Sequence, residues 1–268
     1  MQIGISTASF FNRMSIEDAV LELGAHGVLA AELFLNSFCE YEPAFTAMLA
    51  ERARAANVRV HSVHPMSTQF EPQLFSLHPR QREDAFRIYE RVLRAAKALG
   101  AECYVMHGAA TLNGAAKNLE LARIAPIFSE LDEMARAYGV TLALENVSWC
   151  LFCTPVFGLR LRELTKDRMH FTLDIKQAVR SGFSPADYID AVGERIVNVH
   201  LCDYERLENG AFRWRMPMQG RCDFSALQSA LLAHGYRGPA FVEVYSDMYG
   251  DLDALYRARA DCERLLGN

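Results

Sequence analysis

Residues 169–182 read MHFTLDIKQAVRSG, and this short stretch decides how the chain is to be understood. An apolar run, Phe171 to Leu173, breaks on the carboxylate of Asp174. Ile175, Lys176 and Gln177 follow, and the chain then turns toward Gly182. A strand buried on both faces reads as a continuous apolar run. An acid at the end of such a strand is costly unless something there needs its charge. Ser184-Pro185 then opens a helix, with proline at the first helical position.

The same strand-then-helix unit recurs outward in both directions. "QIGIS" precedes a helix opening at Ser15 with Asp18 three residues on, and "LAAELFL" precedes one over about residues 43–57. "VRVHSVH" leads through an irregular piece into the helical "RQREDAFRIYERVLRAAKALG", which ends on Gly100 as a helix C-terminus favours. "ECYVMHG" precedes a helical region interrupted at Pro126, and "VTLALEN" precedes a helix beginning near Pro155. "RIVNVHL" is followed by an excursion whose Asn209-Gly210 reads as a hairpin turn, then by the helix "FSALQSALLAHG". "AFVEVYS" and a helix over about residues 251–266 complete the set.

Eight such units in 268 residues have the count and size of a single-domain (β/α)8 TIM barrel spanning residues 1–268. The competing architecture, a doubly wound open sheet, usually carries a glycine-rich turn after its first strand, and "STASFFN" contains none.

The barrel reading carries its own check, because active sites in this fold sit at the carboxyl ends of the strands. There the sequence places His64, His107, Glu145, Asp174, His200 (with Asp203 just beyond) and Glu243, and Glu32 at the end of the second strand. Taken singly, each is an ordinary hydrogen-bonded or ion-paired residue. Together they fall at one end of one kind of element, which scatter would not produce. Three acids, Glu145, Asp174 and Glu243, crowded with the imidazole of His200, repel one another unless a cation neutralises them. Such a ligand set suits one divalent ion, Mn2+ or Mg2+ before Co2+ or Zn2+.

Bulk properties narrow the partners. The net charge is −5 with 23% charged residues, which does not suit a polyanion such as DNA. The opening "MQIGISTASFF" has neither a basic start nor a long apolar stretch, so neither a signal peptide nor a membrane span is expected. Seven scattered cysteines fit free thiols in a reducing cytoplasm, and Cys150 and Cys153 form a lone CxxC without a second pair.

"LALENV", "FTLDIKQA", "VNVHLCDY", "PMQGRCDF" and "AFVEVYS" together resemble the xylose isomerase-like TIM-barrel superfamily. It includes ketose 3-epimerases, hydroxypyruvate isomerases, inosose dehydratases and endonuclease IV-type nucleases. The resemblance implies that Glu145 and Glu243 are the catalytic pair. One would take the proton beside a carbonyl and the other return it from the opposite side, while Asp174 and His200 complete the metal shell. It implies a carbohydrate substrate contacted by His64, His107, Glu32, Lys176, Gln177, Trp149 and Arg221, with Phe10 or Phe11 as an apolar wall.

Gln177 departs from the family pattern. Many epimerases and the nucleases carry histidine there, and a glutamine is a poor zinc ligand that cannot shuttle a proton. The leading expectation is therefore a metal-dependent sugar isomerase or epimerase. The alternatives are a dehydratase on the same site, a phosphodiesterase and a non-catalytic sugar-binding barrel. No glycine-rich phosphate cradle is present, which favours an unphosphorylated sugar. Barrels of this type often pair, so a homo-oligomer is an open expectation.

Overall fold

The structure, a computed structural model, describes residues 1–110 and 121–267. Eight parallel strands close into a barrel in the order β1-β10-β7-β6-β5-β4-β3-β2. They are β1 (Ile3–Ser6), β2 (Ala30–Leu35), β3 (Arg59–Pro65), β4 (Cys103–Met106), β5 (Thr141–Glu145), β6 (His170–Asp174), β7 (Ile196–Leu201) and β10 (Ala240–Val242). An antiparallel hairpin, β8 (Asp203–Arg206) and β9 (Phe212–Arg215), is the excursion expected around Asn209-Gly210, and Gly210 takes a φ of 82° in its turn.

The outer layer is helical: α1 (Ile16–Ala25), α2 (Pro43–Ala55), α3 (Glu71–Leu74), α4 (Pro79–Leu99), α5 (Leu121–Ala137), α6 (Pro155–Leu164), α7 (Ile175–Arg180), α8 (Pro185–Val192), α9 (Phe224–Ala233) and α10 (Leu252–Leu266). Their starts follow from short polar side chains placed to cap free backbone N–H groups. Ser15, Thr154, Ser184, Asp223 and Asp251 each accept from the backbone N–H three residues on. Gly100 ends α4 at a φ of 71°, a left-handed conformation that glycine adopts without steric cost.

Two expectations change. Pro126 does not interrupt its helix. It lies inside α5, where it removes one backbone hydrogen bond while Ile124, Ile127, Phe128 and Leu131 stay buried against the barrel. The start of that helical region, residues 111–120, lies outside the described residues. The second change is α7, which begins directly after Asp174 where the sequence reads only as a turn. Five of its six residues are buried, and six residues are too few to show a helical period.

Along a strand, alternate side chains face the same way. Ser62 and His64 on β3 and Asn198 and His200 on β7 form such inward pairs, and the β6–β7 register sets Asp174 beside His200. Glu243 follows β10 directly and its N–H donates to Leu201 O at 3.0 Å, which places it at the end of β7. The carboxyl ends of β5, β6, β7 and β10 thus bring their polar residues to one mouth.

Candidate active site at the barrel mouth

At the centre lies the His200 imidazole, which is fully buried. Its Nδ1 lies 3.2 Å from Glu243 Oε2, 3.4 Å from Glu145 Oε1 and 3.7 Å from Asp174 Oδ2. His200 Nδ1, Asp174 Oδ2 and Glu243 Oε2 are buried and make no hydrogen bond. Buried polar atoms are rarely left so, and three of them converging within a few ångströms mark a place for a cation. Donors held about 2.0–2.3 Å from a metal sit at this kind of mutual spacing.

Asp174 answers the question its sequence poses in two parts. Oδ1 accepts from Gln177 N at 2.6 Å and caps α7, while Oδ2 turns to the cluster. The neighbouring Asn146 braces it: Asn146 Nδ2 donates to Asp174 O at 2.9 Å, and Asp174 N donates to Asn146 Oδ1 at 2.6 Å.

Glu32 lies beneath His200. It is not at the end of β2 but inside it, and it is fully buried. Its oxygens accept from Ser6 Oγ at 3.0 Å, Ser62 Oγ at 2.8 Å and Asn198 Nδ2 at 2.9 Å, and His200 Nε2 lies 3.0 Å away. Its place inside the strand differs from the strand-end position expected for a substrate contact. Burial alone would raise its pKa, yet His200 and His64 outweigh that and hold the carboxyl well below its usual range. Likewise, burial opposes charge on His200, but the surrounding carboxylates, Glu243 and Glu32 foremost, raise its pKa well above the ordinary value.

Three overlapping sets have the spacing to hold an ion among the described residues: Glu145–Asp174–His200, Glu32–His64–His200–Glu243 and His64–His107–Glu145. Glu32 spends its lone pairs on hydroxyl and amide donors and meets His200 at Nε2. The other acids meet His200 at Nδ1. The two histidines of the third set face each other, with His64 Nε2 2.8 Å from His107 Nε2. Glu145, Asp174 and His200 form one of these sets, and Glu243, grouped with His200 in another, approaches the same Nδ1.

Around this cluster opens a cleft of about 490 Å³, the size of a small-molecule site. His64, His107, Glu145, Trp149, Lys176, Gln177 and Glu243 line it together with Phe11 and Tyr245. Phe11 rather than Phe10 forms the apolar wall, since Phe10 is buried in the core. His107 Nδ1 lies 2.6 Å from Ser67 Oγ, and its Nε2 2.8 Å from Glu145 Oε2. Burial would lower the His64 pKa, but the carboxylates of Glu32, Glu145 and Glu243 raise it to about 9.

Gln177 Oε1 is 2.9 Å from Ser148 Oγ and 3.2 Å from Ser148 N. Because a backbone N–H can only donate, the amide oxygen must face Ser148, which leaves the NH2 group for the cleft. Lys176 is buried, with Nζ 4.0 Å from Glu243 Oε1 and 4.3 Å from the Tyr245 ring centroid. Burial alone would lower its pKa, and the carboxylates of Asp174 and Glu243 reverse that and raise it.

Arg221 does not join the site. Its side chain is exposed on the loop after β9 and does not line the cleft. Asp203 does not join it either, since its oxygens accept from Tyr204 N, Gly220 N and Cys222 N at 2.7–2.9 Å and hold that loop. Gly220 is required there, because a Cβ would lie 2.3 Å from Tyr204 O. Cys150 and Cys153 are not joined by a disulfide and lie outside the three ion-sized sets.

Residues 18–265 match the family model described as xylose isomerase-like TIM barrel. The chain belongs to that family. No curated protein matches it closely, but many solved structures share its fold. A D-tagatose 3-epimerase-like protein superposes with a TM-score of 0.79 at 22% identity, covering 100% of this chain and 97% of its own. The IOLI protein, crystallised with a binding zinc atom, gives 0.82 at 19% identity over 100% and 98%. The probable 3-DHS dehydratase AsbF from Bacillus anthracis gives 0.77 at 14% over 98% and 99%. At these identities the likeness establishes the fold. Among the described residues no helix is long and apolar enough to cross a membrane.

Glu71, which the sequence does not mark, shapes the same wall. It is fully buried and accepts from Tyr104 Oη, His107 N and Gly108 N at 2.8–2.9 Å, fixing the end of β4.

Proposed function

We propose that this protein is a divalent-metal-dependent isomerase or epimerase of a small polyhydroxy carbonyl compound. The observation that carries the proposal is the convergence of Glu145, Asp174 and Glu243 on His200 Nδ1 at the floor of a sugar-sized cleft. These four residues would hold the ion. A divalent cation there supplies positive charge to the oxygen that becomes negative when a proton leaves the neighbouring carbon.

The chain's own residues do the rest. Glu145 and Glu243 arrive from strands three places apart in the barrel and both face the cleft. One removes the proton and the other returns it, which inverts or relocates the centre. Trp149 and Phe11 offer apolar surface to a sugar ring, while His64, His107 and the Gln177 NH2 group offer hydrogen bonds to its hydroxyls.

The test is exchange of substrate α-protons in D2O, followed by NMR, with Mn2+-loaded protein and a panel of ketoses and inososes. Exchange that Glu243→Gln lowers at least about a hundredfold supports the assignment. Exchange that survives Glu243→Gln removes Glu243 from the pair, and none from any sugar with metal retained overturns the reading. Water loss accompanying exchange would make the reaction a dehydration.

A further inference from the structure

Among the described residues, one cation lining the cleft makes no ion pair. On the metal reading above, on which this inference rests, a divalent ion faces the three carboxylates of Glu145, Asp174 and Glu243. One negative charge is left over. Lys176, buried with Nζ 4.0 Å from Glu243 Oε1, balances it. Arg180 lies one helical turn beyond Lys176 on α7 and also lines the cleft. No carboxylate lies within ion-pair distance of its guanidinium among the described residues. Its contact there is Tyr245, with Nη1 donating to Tyr245 Oη at 3.3 Å. The exposed Asp247 also lines the cleft, but outside that distance.

Tyr245 ties the two cations together. Its ring lies 4.3 Å from Lys176 Nζ, and its oxygen accepts from Arg180. A phenol whose oxygen is already accepting keeps its own proton to donate. The rim therefore offers the remaining guanidinium N–H groups of Arg180, the Tyr245 O–H and the Gln177 NH2 group. All of them are donors, and they sit on the side of the cleft formed by α7 and the segment after β10.

We propose that the sugar taken by this site carries a terminal oxyanion, carboxylate or phosphate, which Arg180 and Tyr245 receive at the rim while the carbonyl end lies at the metal cluster. The planar guanidinium suits either group. Without a backbone cradle for a phosphate, side chains do the holding. The sequence motifs favour an unphosphorylated sugar, and the rim makes that a question of carboxylate against phosphate rather than of neutral sugar.

Titration calorimetry of the Mn2+-loaded protein at fixed ionic strength, with D-fructose, D-fructose 6-phosphate and D-fructuronate, tests this. At least one of the two anionic sugars should bind roughly tenfold or more tighter than D-fructose, as a charge-assisted hydrogen bond gives. Arg180→Gln should bring that ratio close to one, and Arg180→Lys should restore part of it. Preference for the phosphate alone, or for the carboxylate alone, identifies the group. Equal binding of all three, or a preference that survives Arg180→Gln, overturns the inference. Proton exchange measured on the same samples separates the two ideas. Exchange with equal binding overturns the oxyanion alone, and tight oxyanion binding without exchange from these sugars or from the ketose and inosose panel supports it while removing the isomerase reading.

Discussion

Replacing Glu32 with glutamine isolates a charge without disturbing a shape. Oε2 of Glu32 receives Ser62 and Asn198 and lies 3.0 Å from His200 Nε2, while Oε1 receives Ser6. A glutamine oxygen in the Oε2 position keeps the first three partners, and its NH2 group can donate to the Ser6 hydroxyl or to His64 Nδ1, which lies 3.5 Å from Oε1. The fold loses little. What disappears is the negative charge that orients the imidazole with Nε2 protonated and Nδ1 free to ligate. Losing such a partner of a metal-bound histidine typically costs roughly 10–100-fold in metal affinity, or about 1.4–2.7 kcal/mol. Calorimetric titration with Mn2+ reads the affinity, and thermal unfolding without metal reads the fold. The expected result is a Kd raised within that range and a nearly unchanged Tm. An unchanged Kd would refute the supporting role of Glu32. Complete loss of metal binding would make Glu32 a ligand, and the set with His64, His200 and Glu243 would then be the true one.

Two further outcomes follow from single residues. Asn146→Ala removes both hydrogen bonds that brace Asp174 and leaves a buried N–H and C=O without partners. At about 1–3 kcal/mol for each group, stability should fall by about 2–6 kcal/mol in urea unfolding, and a change below 1 kcal/mol would mean the brace is idle. Burial, with Arg195 nearby, depresses the His170 pKa from its ordinary value to about 4. The unfolded chain then binds the extra proton first, so His170 draws stability out as pH falls from about 6.5 toward 4. Allowing for its partial exposure, His170→Gln should reduce that acid loss by about 1–2 kcal/mol. Identical acid unfolding curves for the two proteins would rule His170 out.

The barrel was legible because its strands are continuous apolar runs and its helices carry caps and periodic apolar faces. Asp174, Glu145, His200 and Glu243 could be grouped because each stands at a strand end. Three things were not legible. Glu32 lies one turn of the pleat below the mouth, and counting to the end of an apolar run cannot tell a residue inside a strand from one at its edge. The α7 helix is too short and too buried to show a period, so the shared wall made by Lys176, Gln177 and Arg180 stayed hidden. Glu71 comes from the irregular piece after β3, and only the three-dimensional path of the chain brings it under His107. Arg221 failed for the opposite reason: a motif assigned it to the cleft, but the β8–β9 hairpin and the Asp203-anchored loop carry it outward.

Glu145, Asp174, His200 and Glu243 are proposed to hold one divalent ion at the barrel mouth. Elemental analysis after dialysis against Mn2+ and then against metal-free buffer tests it most directly, with Glu145→Ala treated in parallel. One ion per wild-type chain and none in the variant is the expected result. Protein that retains no ion, or a variant that retains it undiminished, would contradict it.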